Sequence, residues 1–198
     1  QRQMCIRDRS ARGMILKSNV THLCTTDDPA DSLEWHKKIK ADKSFNVQVL
    51  PAWRPEAAMK IADKGFATYV RRLAGAAEMD IGSYDDFKAA MIKRLEFFNQ
   101  MGCRASDHSL DYAMYVPATA AEIEDIFASA LAGEDITYEE DLKFKTAFLL
   151  FIGREYKRLG WVMQLHYGVK RDNNSKMFKS FGACLLYTSA AADEARSV

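Results

Sequence analysis

The sequence predicts an α/β domain built on a parallel sheet. Short apolar runs of strand length alternate with helical patterns, each run opening a new strand–helix unit. Four successive runs are followed directly by polar or ionisable residues. The stretch Trp161–Asn174 reads as an apolar strand (Trp161, Val162, Met163, Leu165) that ends in an imidazole, His166, and then the cations Lys170 and Arg171. α/β barrels place catalytic groups at the C-terminal ends of their strands in this way. A core strand with a satisfied histidine and a solvated basic loop explains the same stretch without any function.

In chain order, Ser10–Lys17 reads as the end of a helix or a loop, and Val20–Cys24 as the first strand. Thr25–Ser32 is a polar turn marked by Pro29, and Asp31 or Ser32 is positioned to cap a helix from Leu33 to about Ala41. Asn46–Leu50 is the second strand, and Pro51 and Pro55 keep the backbone between them extended. Glu56–Leu73 is mainly helical in pattern. Ser83 caps the next helix, whose apolar stripe is Phe87, Met91, Leu95 and Phe98 and whose stop is Gly102. Cys103–His108 is the third strand with its exit turn. Thr119–Leu131 presents Ile123, Ile126, Phe127 and Ala130 on one face. Thr137 caps a long helix with Leu142, Phe144, Leu149, Ile152 and Tyr156 as core positions, and Gly160 ends it before the fourth strand.

Composition narrows the function classes. The 198 residues suffice for one domain with a real core, and 48% hydrophobic with 28% charged residues is ordinary. A net charge of +1 gives no electrostatic case for nucleic acid or an anionic membrane. No run of about 20 apolar residues is present to span a bilayer. The four cysteines form no C-x-x-C pair, which suits a reducing compartment with Cys24 and Cys103 as small buried residues. With no apolar leader, a cytoplasmic location is expected. Residues 1–9 and 183–198 read as non-native or disordered tails around one domain, 10–182.

The residues after the strands are Thr25, Thr26, Asp27 and Asp28; Trp53 and Arg54; Asp107 and His108; His166 and Arg171. Each has a plain explanation: Asp27-Asp28-Pro29 is a usual turn, and Asp107 is a possible helix cap. Together they fit a barrel mouth, where every β/α loop opens on one face, although a small open sheet is compatible with the same pattern. Arg54 and Arg171 offer planar forks for a carboxylate. His166 suits a metal ligand or an acid/base group, and Asp107 suits orienting a partner or moving a proton. His22 and His36 receive no role. Phosphate-cradling glycine loops, a Gly-x-Ser-x-Gly elbow and a His-Glu-x-x-His helix do not occur.

Five segments carry a resemblance: Ser10-Ala-Arg-Gly13, Thr25-Thr-Asp-Asp-Pro-Ala-Asp-Ser-Leu-Glu34, Val49-Leu-Pro-Ala-Trp-Arg-Pro55, Gly102-Cys-Arg-Ala-Ser-Asp-His108, and Trp161–His166 followed by Arg171-Asp-Asn-Asn174. In this order they resemble the uronate (glucuronate) isomerases of the amidohydrolase superfamily. The resemblance implies a partial (β/α)8 TIM barrel, about strands two to five with their helices. It implies aldose–ketose isomerisation of D-glucuronate to D-fructuronate, and of D-galacturonate to D-tagaturonate, with a proton moving between C2 and C1. Arg54, Arg171 and Asp28 would bind the uronate, Asp107 and His166 would be catalytic, and His166 would be a metal ligand. One divalent metal such as zinc is implied for the intact enzyme, and a homo-oligomer is compatible with it. The family's His-x-His strand and its Thr-Asp-Ser-Arg strand have no match, so an internal fragment without turnover of its own is expected. Tyr167-Gly-Val-Lys170 departs from the family pattern, with Arg171 still in register. A metal-dependent hydrolase of the same superfamily and a non-catalytic sugar-acid binder are the alternatives. Residues 10–182 alone are expected to be poorly soluble or loosely packed, because sheet edges and apolar faces lose their covers.

Overall fold

The computed structural model describes residues 10–168 and 174–181, so the two expected tails and Arg171 lie outside the described residues. Among the described residues the order is α1 (Ala11–Lys17), β1 (His22–Cys24), α2 (Glu34–Ala41), β2 (Gln48–Leu50), a 3-10 turn (Ala57–Met59), α3 (Phe66–Ala77), α4 (Tyr84–Gln100), β3 (Ala105–Leu110), α5 (Ala120–Ala132), α6 (Tyr138–Leu159), β4 (Val162–Tyr167) and α7 (Ser175–Phe181). The fold class is α/β, as expected. No described helix is long and apolar enough to cross a membrane. Most of the described residues up to Gln164 form one compact unit; Ser109–Ala113 and the described residues from Leu165 onward form a second.

Helix ends follow the capping chemistry. Ser83 with Asp86, Thr119 with Glu122 and Thr137 with Glu140 each form a reciprocal capping box that satisfies otherwise orphaned N–H groups. Gly102, at φ 99°, turns the chain from α4 into β3 where a Cβ would stand 3.0 Å from Leu50 Cδ2, so glycine is needed twice over.

Four expectations need correction. Glu56–Leu73 is not one helix: the 3-10 turn ends at Met59 and α3 starts only at Phe66, beyond the Asp63–Gly65 turn. Leu33, not Asp31 or Ser32, is the N-cap of α2. It sits in the left-handed region at φ 53°, and Asp31 instead accepts its N–H at 2.7 Å. Cys24 is exposed, because β1 has no covering layer among the described residues. β4 is mostly exposed beyond buried Trp161, with Val162 67% and Leu165 43% accessible. In α6, Phe144, Ile152 and Tyr156 are buried as expected, while Phe148 is the core position that the pattern missed.

The strands pair with their sequential neighbours, in parallel where β1, β2 and the start of β3 meet. β1 pairs with β2 in the register His22–Gln48, Leu23–Val49, Cys24–Leu50. The ladder continues beyond the regular strands through parallel bridges from Asp27 to Trp53 and from Trp53 to Ser106. β4 is hydrogen-bonded beside β3. The core lies between the sheet and the helices. Phe66, Tyr84, Phe87, Phe127, Phe144 and Phe148 interlock from α3 to α6, with Phe87 and Phe127 centroids 5.3 Å apart. Trp53 packs edge-on against Phe98 at 4.9 Å and meets Trp161, which stacks on Tyr156.

Candidate active site at the strand ends

Register builds the site. Asp27, Trp53 and Ser106 lie in one row across the first three strands. Successive strand residues face opposite sides, so the next residues of the second and third strands, Arg54 and Asp107, present their side chains to the other face, while Asp28 opens the turn after β1 and meets Arg72 of α3. The first row is buried toward the helices, with Trp53 and Ser106 both 0% exposed. The Arg54–Asp107 face is partly open, with side-chain exposures of 32% for Arg54 and 15% for Asp107. Asp107 belongs to the strand itself rather than to an exit turn, because β3 runs on to Leu110. Backbone hydrogen bonds lock the row: Arg54 N donates to Asp27 O at 2.9 Å and Asp107 N to Trp53 O at 2.8 Å.

Arg54 is held by two carboxylates. Its Nη1 donates to Asp107 Oδ2 at 3.1 Å and its Nε to Glu56 Oε2 at 3.0 Å. Sequence reasoning placed Arg54 and Asp107 together but missed Glu56. An acid two residues beyond an arginine in a proline-stiffened segment was the available signal. Asp28 is engaged elsewhere: Arg72 of α3 donates to it at 2.6 Å and the Ala30 N–H at 2.9 Å. His166 is an exposed residue of β4 in the second unit, and Arg171 lies outside the described residues.

His108 cannot join Asp107. Alternation turns it to the buried face, where it is 1% exposed and the Tyr156 hydroxyl lies 3.0 Å from Nε2. Burial lowers its pKa from 6.5 to about 4, with Asp107 opposing and Arg54 assisting. Between those values the unfolded chain binds the proton and the folded chain does not, so stability rises with pH across that window. The contribution is complete above 6.5 and lost as pH falls through about 4, a change on the order of 3 kcal/mol. His108→Gln is expected to flatten urea-midpoint titrations over that range. A variant with the same pH dependence as the parent would contradict this assignment.

A second buried network involves His36, to which sequence reasoning gave no role. Thr25 Oγ1 donates to Asp27 Oδ2 at 2.6 Å and lies 2.7 Å from His36 Nε2, so with its one proton committed it accepts from the imidazole. Burial pushes the Cys103 thiol up to about 11, so it is protonated at neutral pH and is no nucleophile.

A family model described as glucuronate isomerase matches residues 1–196. The chain belongs to the glucuronate isomerase family. It is 55% identical over 176 residues to a uronate isomerase of Lachnoclostridium phytofermentans, covering 89% of this chain and 38% of that protein. It is 51% identical over 173 residues to one from Endomicrobium trichonymphae, covering 87% and 37%. The crystal structure of uronate isomerase from Thermotoga maritima superposes with a TM-score of 0.79 at 33% identity, over 86% of this chain and 38% of that one. Glucuronate isomerase from Caulobacter crescentus gives 0.76 at 27%, over 87% and 36%. The chain thus spans under two fifths of the relatives it matches. For this glucuronate isomerase family member, the Arg54–Asp107 pair is the part of the expected site that the described residues bring together.

Proposed function

We propose that this chain supplies the middle β/α units of a uronate isomerase barrel, about strands two to five. Sequential neighbouring of the strands, each followed by helix, supports the barrel reading, because consecutive strands of a (β/α)8 barrel are neighbours in that way. The whole protein interconverts D-glucuronate and D-fructuronate, and D-galacturonate and D-tagaturonate. In the forward direction the C2–H bond of the open-chain aldose breaks and a proton is delivered to C1, while the O2 hydroxyl proton is lost and O1 gains one, so the carbonyl moves from C1 to C2.

The observation that carries the reading is the Arg54–Asp107 pair on the open face of one sheet row. Two carboxylates fix the Arg54 guanidinium before substrate arrives, and a guanidinium has five N–H donors, so some are left to meet the uronate carboxylate. Asp107, beside it, is the group placed to hold or move a proton on the bound sugar. Arg171 and Asp28 complete the binding set in this reading, with Asp28 exchanging its Arg72 partner for a sugar hydroxyl or acting through it. His166 is the proposed catalytic or metal-binding imidazole.

A divalent ion is part of the reading for the intact enzyme. Among the described residues no three His, Cys, Asp or Glu side chains converge as a metal site requires, so any ion held at His166 needs ligands from elsewhere. No step is routed through it. A uronate substrate, a cytoplasmic location and a homo-oligomer belong to the same proposal.

The test is a full-length graft in which residues 10–181 replace the matching stretch of the Lachnoclostridium relative. It is expected to convert D-glucuronate to a ketose and to leave neutral D-glucose untouched. Ester or amide hydrolysis without isomerisation would favour a hydrolase, and tight uronate binding without turnover a binding protein.

A further inference from the structure

We infer that Arg94 is a positioning residue for the site, acting through the loop that follows β1. Arg94 lies in the middle of α4 and is 7% exposed. Among the described residues its hydrogen bonds go to three backbone carbonyls and to no carboxylate. Its Nε donates to Pro29 O at 2.7 Å, Nη2 to Asp31 O at 2.6 Å and Nη1 to Ala76 O at 3.0 Å. Ala76 lies in the last turn of α3, where carbonyls lack helical partners and the helix dipole is negative. The guanidinium plane also lies 4.3 Å from the Phe97 ring centroid. Burial lowers its pKa, and the charge of Asp31 opposes that shift.

Two of those carbonyls belong to the loop that carries Asp28. Inside it, Asp31 N donates to Asp28 O at 2.8 Å, and the Asp28 and Asp31 carboxylates accept the Ala30 and Leu33 N–H groups. Leu33 is held in the left-handed region while fully buried, a conformation a leucine keeps only when its surroundings impose it. Arg94 is the cation that imposes it, because lysine has neither the planar fork nor the span to meet three carbonyls at once. Asp27, at the start of the same loop, accepts the Arg54 N–H on its carbonyl at 2.9 Å, so the position of the loop bears on the placement of Arg54. The inference rests on the reading of Arg54 and Asp107 as a uronate site.

The variants are Arg94→Met and Arg94→Lys, made in the full-length graft and, in parallel, in the 198-residue chain. Hydrogen exchange in both variants is expected to speed up in residues 27–33 while the ends of α4 stay protected. When only a fraction of the protein holds the competent loop, apparent affinity falls by that fraction. KM for glucuronate is therefore expected to rise about tenfold with kcat within about twofold, and guanidinium ion is expected to restore part of the loss in Arg94→Met. A merely structural arginine gives the opposite split, a lower apparent kcat at unchanged KM. That split, or unchanged protection of residues 27–33, would overturn the inference. If the parent graft does not isomerise uronates, the function reading fails and the exchange result alone decides the role of Arg94.

Discussion

Arg54→Met in the full-length graft is expected to lower kcat/KM for D-glucuronate by about 10²–10³-fold, because the fork that binds the uronate carboxylate and so positions the sugar is lost. The substitution keeps the length and apolar stem of the side chain and removes only the fork. Asp107 and Glu56 are then left facing each other without the cation that both now share at 3.0–3.1 Å. These side chains are only partly buried, so solvent screens the two carboxylates left behind and the cost to folding is expected to be small beside the loss of activity. Arg54→Lys keeps the charge but not the planar fork, so it is expected to recover only a small part. Steady-state kinetics with circular dichroism as a folding control measures both. Activity within threefold of the parent in Arg54→Met would remove Arg54 from the site.

Phe87→Ala is expected to have the largest effect on stability. Phe87 is 0% exposed and meets Phe66, Tyr84, Phe127, Phe144 and Phe148, so one truncation opens a cavity walled by four helices. Large-to-small changes at such sites cost ~3–5 kcal/mol, and lost aromatic pairing adds to this. At ~2–4 °C per kcal/mol for a domain of this size, thermal unfolding should come roughly 6–20 °C earlier. The cluster lies behind the sheet from the Arg54 row, so KM well below the transition is expected to be unchanged. A shift of under about 2 °C would mean that this cluster is not the core it is taken to be.

The helices were legible where their signals were local. Ser83 and Thr137 cap where their sequences say, and Ile123, Ile126, Phe127 and Ala130 are buried as their spacing requires. Burial of whole strands was not legible. Val162 and Leu165 read as core because they are apolar, yet exposure depends on which layer covers them, and that is a long-range property. Half of the site was legible in the same sense. Arg54 and Asp107 stood out as ionisable groups after apolar runs, but only the Trp53–Ser106 register places them in one row. The same alternation removes His108, which no sequence signal separated from its neighbour. Glu56, His36 and Arg94 act through contacts with residues distant in the chain or in a neighbouring turn. Only Glu56 had a sequence signal for its partner, its spacing from Arg54; the partners of His36 and Arg94 are set by the fold.

The central claim is that this segment belongs to an enzyme that moves the C2 proton of a uronate. The most direct measurement supplies the full-length graft with D-glucuronate deuterated at C2 and follows the sugar by NMR. Deuterium is expected to leave C2 as ketose forms, and to appear at C1 or in water. Sugar that is bound, yet recovered with its C2 deuterium intact, would contradict it.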